Sequence, residues 1–585
     1  MLKRLVKQFS KDNIFVIILI LLAFLPRVYR LDKFPPGIIH DELNYVLNAK
    51  SLFHTGQNIP LTASAILSWG ETNYDVVISE LPSYIISIWI GLTKLSLFTA
   101  RLPYVLISTL SVVLLYLITS KLLGKTIAKY SSLVFAFNPW SIHLGRSALE
   151  VNFATFFFLL SFYTILIASP NKILTALIFF VAMFLSYLGA KLLFLPLILI
   201  LLAYRYFDSK TSHNDRKKYL LFAGLSVIVL FSYVLTLGNQ PSGTRRVELI
   251  LFERDWAENL VNKERLQAIP NLGLELFSNK ATVILRRIVD VYLSAFSSIG
   301  LFARGETISI YSIWEYGQFH YIDFFLILAG IVYLYKLNRK VFWLLVAIIL
   351  VSPTVASIDL VERTYAIRAY PMFPIFCILS GIGIWYFKAK FNFKKIATIL
   401  VSIIYISSIL YFLNLYFYRF PIYASERYFL SERIIANYVM RAEDNPEIKK
   451  IYVSTNESPK IVLEEYLFFS GLYDKKESII AVNKNINNHD FSFGKVTYTN
   501  DCPEGFVLED GNILISHHTS KCSKEESGKR GIVDLKDAGT VYYIDNDMVC
   551  KGLTLQRYYR PMDISVFDLE KQEVSEFCRN WIVSF

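Results

Sequence analysis

Apolar runs repeated along residues 13–416 constrain this chain more than any other feature of its sequence. We interpret eleven of them as membrane spans, and several are near the ~20 residues that a helix needs to cross a bilayer. Only 18% of the 585 residues are charged, whereas a soluble protein carries about 25%. The sequence therefore predicts a polytopic α-helical membrane protein with about eleven transmembrane helices. The predicted spans are 13–29, 102–119, 127–142, 151–168, 173–187, 191–204, 219–237, 322–335, 341–351, 369–387 and 396–416.

Basic residues indicate how these spans are oriented. Lys and Arg fall in short clusters between the apolar runs, as at Lys125 and Lys217. Because positively charged loops stay in the cytoplasm, we expect a cytoplasmic N-terminus and a last span that ends on the extracytoplasmic side of the cell membrane. No small-residue cleavage site follows the first run, so we interpret it as an uncleaved anchor. The net charge of +12 lies mostly in these turns, which argues against nucleic acid as a partner.

Two long segments, at about residues 30–101 and 238–321, are expected on the outer face of the membrane. The first contains an apolar stretch, 81–98, that is crowded by charged residues and a proline. We interpret this stretch as an interfacial or partly inserted helix rather than a full crossing. Counting it as a crossing would put the lysine clusters outside, which the charge rule disfavours.

The composition changes near residue 419. Apolar runs shorten to strand length, as at 451–454, 479–482 and 541–544, and charged or Asn/Gly-rich stretches separate them. We therefore predict a transmembrane domain at 1–418 and a soluble α/β domain at 419–585, long enough to bury its own core.

Cysteine placement bears on the side of the membrane where this second domain lies. Of five cysteines, Cys377 falls in a predicted span and the others fall in the tail, at Cys502, Cys522, Cys550 and Cys578. They predict two disulfides with three possible pairings, which implies an oxidising, extracytoplasmic compartment. A zinc site is the alternative, disfavoured because no two of these cysteines are two to four residues apart.

Charged residues expected at the outer membrane face are the candidates for chemistry, because ionisable residues at such positions are usually paired or functional. The candidate catalytic residues are Asp41, Glu42, Glu80 and Glu150. The candidates for binding a donor phosphate are Arg146, Lys191, Tyr365 and Arg368. Arg146 and Glu150 are four residues apart, which would put them on one face of a helix.

Each candidate also has a purely structural interpretation. Carboxylates such as Asp41 and Glu80 favour the first turn of a helix, at the positive end of its dipole. Arg146 and Glu150 suit a plain intrahelical ion pair. Lys191 and Arg368 suit side chains that extend to lipid headgroups. The histidines form no ligand-spaced pair, and the absence of a phosphate-cradling Gly-rich loop or a nucleophile elbow disfavours soluble nucleotide donors.

Together these groups suit the transfer of a sugar from a polyprenyl phosphate. Such a reaction needs a base for the acceptor hydroxyl, worth about 10²–10⁴ in rate, and cations that stabilise the departing phosphate. A single displacement would invert the anomeric centre, so we predict an inverting glycosyltransferase. The alternative is a transporter or flippase of lipid-linked sugars. It is disfavoured because the halves of the chain show no similarity and the acidic residues cluster outside the bilayer midplane.

The order of these motifs resembles the GT-C glycosyltransferases, more narrowly the branch of protein O-mannosyltransferases and lipid A aminoarabinose transferases. The resemblance covers about residues 10–420. It rests on the Asp-Glu pair after the first span, on His-Leu-x-Arg-x-x-x-Glu at 143–150, and on Arg-Ala-x-Pro at 368–371.

This resemblance implies a GT-C fold and roles for individual residues. It implies that Asp41 is the catalytic base with Glu42 beside it, and that Glu150 and Glu80 match acidic positions. Lys191 and Arg368 match basic positions thought to face the lipid phosphate. Two departures are Leu81, in place of a lysine, and Tyr365, in place of a common histidine.

The implied partners are a polyprenyl-phosphate sugar and an acceptor hydroxyl on a protein, a glycolipid or a glycan. No cofactor is certain. A divalent metal ion remains an open alternative, because Asp41 and Glu150 offer hard oxygen ligands.

Overall fold

Helices dominate the chain up to Tyr423, and a mixed sheet with its own helices follows. The computed structural model describes residues 11–59, 71–73, 77–169, 172–208, 211–237, 254–271, 273–306, 310–358, 364–390, 394–455, 459–485, 490–499, 502, 508–522, 530–535, 539–550 and 564–584. Glu362 and Arg363, which precede Arg368 in the sequence, lie outside these residues.

The first ten helices carry the N-terminal half. They are α1 (Lys11–Val28), α2 (His40–Thr55), α3 (Leu81–Leu92), α4 (Leu97–Leu123), α5 (Lys125–Phe137), α6 (Pro139–Gly145), α7 (Val151–Ile167), α8 (Thr175–Ser186), α9 (Ala190–Tyr206) and α10 (His213–Thr236). A short hairpin of β1 (Glu71–Asn73) and β2 (Val77–Ser79) lies between α2 and α3.

Nine more helices lead to the tail. They are α11 (Arg254–Leu266), α12 (Leu274–Phe277), α13 (Lys280–Ser294), α14 (Tyr321–Leu337), α15 (Arg339–Val351), α16 (Thr354–Ile358), α17 (Met372–Lys390), α18 (Lys394–Asn414) and α19 (Phe420–Tyr423). All eleven apolar runs predicted as spans are helical, although the run 127–142 is divided at Asn138 between α5 and α6.

Five helices of the described chain are long and apolar enough to cross a membrane. They are Leu97–Leu123, His213–Thr236, Arg339–Ile358, Met372–Ala389 and Thr398–Tyr423. Four shorter apolar helices accompany them, at Asn13–Val28, Leu81–Leu92, Val151–Ile167 and Thr175–Ser186. The number of crossings, eleven, stays a prediction. The 12 residues of α3 span about 18 Å, less than the ~30 Å of a bilayer core, which fits an interfacial helix.

Small residues let the central helices pack closely. A Cβ on Gly330 of α14 would collide with the Leu379 carbonyl of α17, and one on Gly381 would collide with Ser131 of α5. Close backbone approach at glycine and serine is how helices associate where lipid removes the usual hydrophobic driving force.

The tail forms a seven-stranded sheet within the described residues. Its strands are β3 (Lys450–Ser454), β4 (Asp490–Phe493), β5 (Val496–Thr499), β6 (Asn512–His517), β7 (Arg530–Leu535), β8 (Gly539–Asp545) and β9 (Val583–Ser584), in the order β4-β5-β3-β6-β8-β7-β9. Strand β3 is parallel to β5 and β6, and the other pairs are antiparallel. The helices of this region are α20 (Leu430–Glu443), α21 (Pro459–Phe469), α22 (Lys476–Asn485) and α23 (Val574–Trp581).

Two details of the tail differ from the sequence-based expectation. The run 479–482, predicted as a strand, lies inside helix α22, where Ile479 and Val482 are buried three residues apart on one face. The last membrane helix also continues to Tyr423, beyond the predicted boundary at 418. Of the three disulfide pairings, the structure has Cys502–Cys522 and Cys550–Cys578.

Candidate active site

The Asp41 carboxylate lies in the first turn of α2, directly after the Pro-Pro-Gly turn that follows α1. It is half-buried, and it accepts a hydrogen bond of 2.7 Å from the hydroxyl of Tyr311. Tyr311 lies 270 residues further along the chain, in the loop between α13 and α14. The hydrogen bond therefore fixes the orientation of the carboxylate, which is still partly exposed to solvent.

Glu150 is the second carboxyl of this site. It precedes α7, and its charge interacts with that of Asp41. Burial, together with the Asp41 carboxylate, raises the pKa of Glu150 well above its usual range, although a hydrogen bond from Tyr45 partly opposes the shift. The pair therefore favours holding a single negative charge near neutral pH.

Glu42, predicted as a catalytic candidate, is fully buried in an ion pair. Arg101 donates to both of its oxygens, over 3.2 and 3.1 Å. The backbone amides of Ile39 and Ala148 donate to it as well, over 3.2 and 2.6 Å. Arg101 also donates to the carbonyls of the Pro-Pro-Gly turn. Through these contacts, Glu42 connects the Pro-Pro-Gly turn, α2 and the segment before α7. Asp41 is the adjacent residue and is held by the same contacts.

Arg146 does not share a helical face with Glu150. Helix α6 ends at Gly145 and α7 begins at Val151, and the Ala148 amide between them donates to Glu42 instead of to a helix carbonyl. The Arg146 guanidinium, fully buried, donates to the carbonyls of Pro26, Arg27 and Phe34 at 2.8–2.9 Å. It caps the end of α1, so the expected intrahelical pair is wrong and its phosphate-binding role lacks geometric support.

Glu80 is buried where β2 meets α3. Asn58 donates to its Oε1 over 2.8 Å, and burial raises the pKa of its carboxyl. The backbone of the neighbouring residue, Ser79, forms a hydrogen bond with the hydroxyl of Tyr45. The side chain of Tyr45 also forms a hydrogen bond with Glu150. Tyr45 therefore connects the backbone next to Glu80 with the Asp41–Glu150 pair.

Two of the predicted phosphate ligands, Lys191 and Arg368, lie at the start of α9 and in the turn before α17. Lys191, buried at the start of α9, places its ammonium 4.7 Å from the ring centre of Tyr233 and 5.3 Å from that of Phe184. Arg368 is half-buried in the turn before α17. The rings of Tyr187 and Tyr370, 6.0 Å apart, bring the start of α9 beside that turn.

Glu306 connects the turn that carries Arg368 with the loop that carries Tyr311, the partner of Asp41. Its Oε1 accepts hydrogen bonds of 2.6 Å from the backbone amides of both Tyr365 and Ala366. Its own amide donates to Ser312, next to Tyr311. The buried hydroxyl of Tyr365 has no hydrogen-bond partner among the described residues and faces Gly300, where a Cβ would collide with it.

Sequence reasoning missed Tyr311, Tyr45 and Glu306. Tyr45 follows Asp41 by four residues, a spacing that places both on one face of α2 and could have identified it. Tyr311 and Glu306 carry no such signal, because only the folded loop brings them to Asp41 and to residues 365–366.

The site offers little support for a resident metal ion. No group of three or more His, Cys, Asp or Glu side chains that could hold one occurs within the described parts of the chain. Asp41 and Glu150 supply two carboxylates, and each already accepts a tyrosine hydroxyl. A divalent metal ion at Asp41 and Glu150 stays a prediction.

Comparisons with known proteins found one family model and several solved structures that are similar to this chain. Residues 80–236 match the sequence model of the family described as dolichyl-phosphate-mannose-protein mannosyltransferase. The structure of apo ArnT from Cupriavidus metallidurans is similar with a TM-score of 0.51 and 12% identity, over 92% of this chain and 98% of that one. ArnT bound to undecaprenyl phosphate gives 0.49 and 12%, over 91% and 97%.

The oligosaccharyltransferase of Archaeoglobus fulgidus, in complex with Zn and sulfate, gives a TM-score of 0.46 at 14% identity, over 90% of this chain and 72% of that one. No curated protein sequence matches the chain. The likeness to apo ArnT extends over nearly all of both chains, so it concerns the membrane helices and the tail together.

Proposed function

We propose that this chain is a membrane glycosyltransferase of the GT-C superfamily, which moves a sugar from a polyprenyl-phosphate donor to an acceptor hydroxyl at the outer face of the membrane. The observation that carries the proposal is the pair of Asp41 and Glu150, held by tyrosine hydroxyls between the first membrane helix and α7. The donor class follows the matching family, whose name specifies dolichyl-phosphate mannose.

Asp41 acts as the general base. As the acceptor oxygen attacks the anomeric carbon, its proton passes to the Asp41 carboxylate, and the bond from that carbon to the phosphate oxygen breaks. The lipid phosphate leaves as an anion and needs no separate acid. One displacement inverts the anomeric centre. Tyr311 holds the carboxylate in one orientation, which is the condition for a placed base to contribute about 10²–10⁴ in rate.

Lys191 and Arg368 supply the positive charge for the departing phosphate. The rings of Phe184 and Tyr233 contact the Lys191 ammonium by cation–π attraction and hold it in place. The Glu306 contacts fix the backbone two and three residues before Arg368, at Ala366 and Tyr365. Cations held in advance where negative charge develops are the most effective form of electrostatic catalysis.

Glu150 keeps the charge of the pair low. While its carboxyl holds a proton, Asp41 is the only anion of the two, and repulsion toward an incoming phosphate lipid is reduced. A protonated Glu150 can also donate a hydrogen bond to the acceptor.

Mass spectrometry of glycoproteins, glycolipids and cell-wall glycans in a strain lacking the gene tests this function. We expect one sugar to disappear from one class of acceptor while its polyprenyl-phosphate donor remains or accumulates. Restoring the gene should return the product. An unchanged set of glycoconjugates would contradict the proposal. Loss of the lipid-linked sugar from the outer leaflet, with every product derived from it, would favour a flippase.

A further inference from the structure

Helix α2, which carries Asp41, packs against the C-terminal domain along its whole length. Leu47 of α2 belongs to the apolar core of that domain. In return, Phe468 of α21 packs into the apolar cluster that α2 forms with α3, beside Leu43 and Val46. The two regions interdigitate, so the helix that carries the base is shared between them.

Polar contacts fix the C-terminal half of α2. The Lys50 ammonium forms an ion pair of 2.7 Å with Asp474 and donates to the Thr93 carbonyl over 2.6 Å. Asp474 also accepts from the backbone amide of Leu95. Asn483 of α22 donates to Ser51 over 2.7 Å. This end of the helix is anchored by three independent contacts.

An ionisable pair with the C-terminal domain also reaches the other end of α2, where Glu42 is paired with Arg101. Nδ1 of His40, the first residue of α2, lies 2.8 Å from Oε2 of Glu464 on α21. The Glu464 side chain is fully buried and that of His40 is 12% exposed. A carboxylate removed from water is costly unless it is paired, and His40 supplies the pairing from across the domain boundary.

The neighbouring carboxylate is neutralised differently. Glu465 is next to Arg433 of α20, whose guanidinium also forms an ion pair of 2.6 Å with Glu570. Burial raises the pKa of the Glu465 carboxyl well above its usual range, and Arg433 only partly opposes this shift. Of the two adjacent acids on α21, Glu464 is the one whose ion pair reaches the transmembrane domain.

We propose that Glu464 is a positioning residue for Asp41. By holding His40, it adds a contact from the C-terminal domain to the Glu42–Arg101 pair that already fixes the first turn of α2. This inference rests on the proposed function, because Glu464 has no chemical role of its own and acts only through Asp41. A displacement of about 1 Å at a reacting group can reduce a rate roughly 10²-fold, so one contact at the adjacent residue is enough to matter.

Hydrogen exchange on the full-length protein in lipid nanodiscs measures the positioning directly, without any substrate. In Glu464→Leu, amides 41–45 should exchange at least tenfold faster, while amides 50–55, held through Lys50 and Ser51, should be unchanged. The unchanged half reports that the variant is folded. Equal protection of amides 41–45 in the variant and the native protein would overturn the inference.

Product yield in the deletion strain tests the consequence. At matched protein levels, Glu464→Leu and His40→Leu should each reduce the yield about tenfold to a hundredfold. Glu464→Gln should restore it to within about threefold, because its side chain keeps the same shape and a polar oxygen beside His40. The double Leu variant should lose no more than either single variant, since both act through one contact. Glu477→Leu, an exposed acid of the same domain, is the matched control.

The outcomes separate the two proposals. If Asp41→Asn abolishes the product and Glu464→Leu leaves it at the native level, the inference falls and the proposed function stands. Additive losses in the double variant would also overturn it. If Asp41→Asn leaves the product intact, the proposed function fails, and the inference fails with it. Should Glu464→Leu not accumulate in membranes, His40→Leu carries the same test.

Discussion

At the scale of single residues, the hydroxyl of Tyr311 is the group that the structure adds to the predicted base. Its hydrogen bond to Asp41 is one to a charged group, a kind worth about 1.5–3 kcal/mol. Tyr311→Phe should therefore lower the transfer rate roughly tenfold to a hundredfold and leave the fold unchanged. Product yield at matched expression measures this, with the exposed Tyr418→Phe as control. A native yield from Tyr311→Phe would show that the hydroxyl does not serve the base.

The raised pKa of Glu150 gives the protein a defined dependence of stability on pH. Since the folded state keeps a proton that the unfolded chain loses near pH 4.5, stability is full below that pH and is lost as pH rises through the folded pKa. Glu150→Gln removes this loss. The unfolding temperature of Glu150→Gln minus that of the native protein should therefore increase from pH 5 to pH 8. A constant difference across this range would contradict the assignment.

Residue types and spacing alone identified Asp41, Glu150, Lys191 and Arg368 as candidates, because charge beside a membrane span is rare and costly. The sequence could not distinguish Asp41 from Glu42. The distinction depends on Arg101, 59 residues away, which pairs with the second carboxylate and not with the first. Long-range pairing of this kind leaves no local signal.

At the scale of elements, the end of α1 depends on Arg146. Its guanidinium satisfies carbonyls at the end of α1 and in the turn that follows, and a lysine ammonium cannot reproduce that planar fork. Arg146→Lys should reduce the free energy of unfolding by about 1–3 kcal/mol, the cost of buried acceptors left unsatisfied. Thermal unfolding in detergent measures the change, and dolichyl-phosphate binding should be unaffected.

Arg419→Lys, at an exposed ion pair with Glu315, is the matched control for this substitution and should change stability little. The opposite pattern for Arg146→Lys, native stability with weakened dolichyl-phosphate binding, would restore the phosphate-binding role that the sequence suggested.

Helical elements were easier to predict than their ends. Apolar runs of bilayer length indicated the helices, whereas the division at Asn138 and the gap from Arg146 to Glu150 depend on contacts with other elements. The run 479–482 was misread because four apolar residues fit a strand or one face of a helix. Burial of Ile479 and Val482 on one face of α22 shows that the helical period prevailed.

At the scale of the whole molecule, the disulfides report on the compartment of the tail. Cys502–Cys522 and Cys550–Cys578 leave Cys377 as the free cysteine. Disulfides persist only in an oxidising compartment, so protein taken directly from cells and denatured should react with one maleimide before reduction and five after it. Gel shifts with a polyethylene-glycol maleimide count the thiols. Five reactive thiols before reduction would place the tail in the cytoplasm.

The division into a membrane part and a soluble part could be predicted from composition, but their interlocking could not. Leu47 and Phe468 each belong to a core on the opposite side of the predicted boundary. Hydropathy assigns residues to domains one stretch at a time, and it contains no information on which surfaces meet. The contact between His40 and Glu464 is therefore a property of the folded molecule alone.

The central claim is that the Asp41 carboxylate takes the acceptor proton. It is tested most directly by measuring sugar transfer in the deletion strain carrying Asp41→Asn, which keeps the shape of the side chain and removes its basicity. Asp32→Asn, an exposed carboxylate nine residues earlier, is the control. We predict that Asp41→Asn forms at least 10²-fold less product at a native protein level, and that Asp32→Asn forms the native amount. Native product from Asp41→Asn would contradict the account.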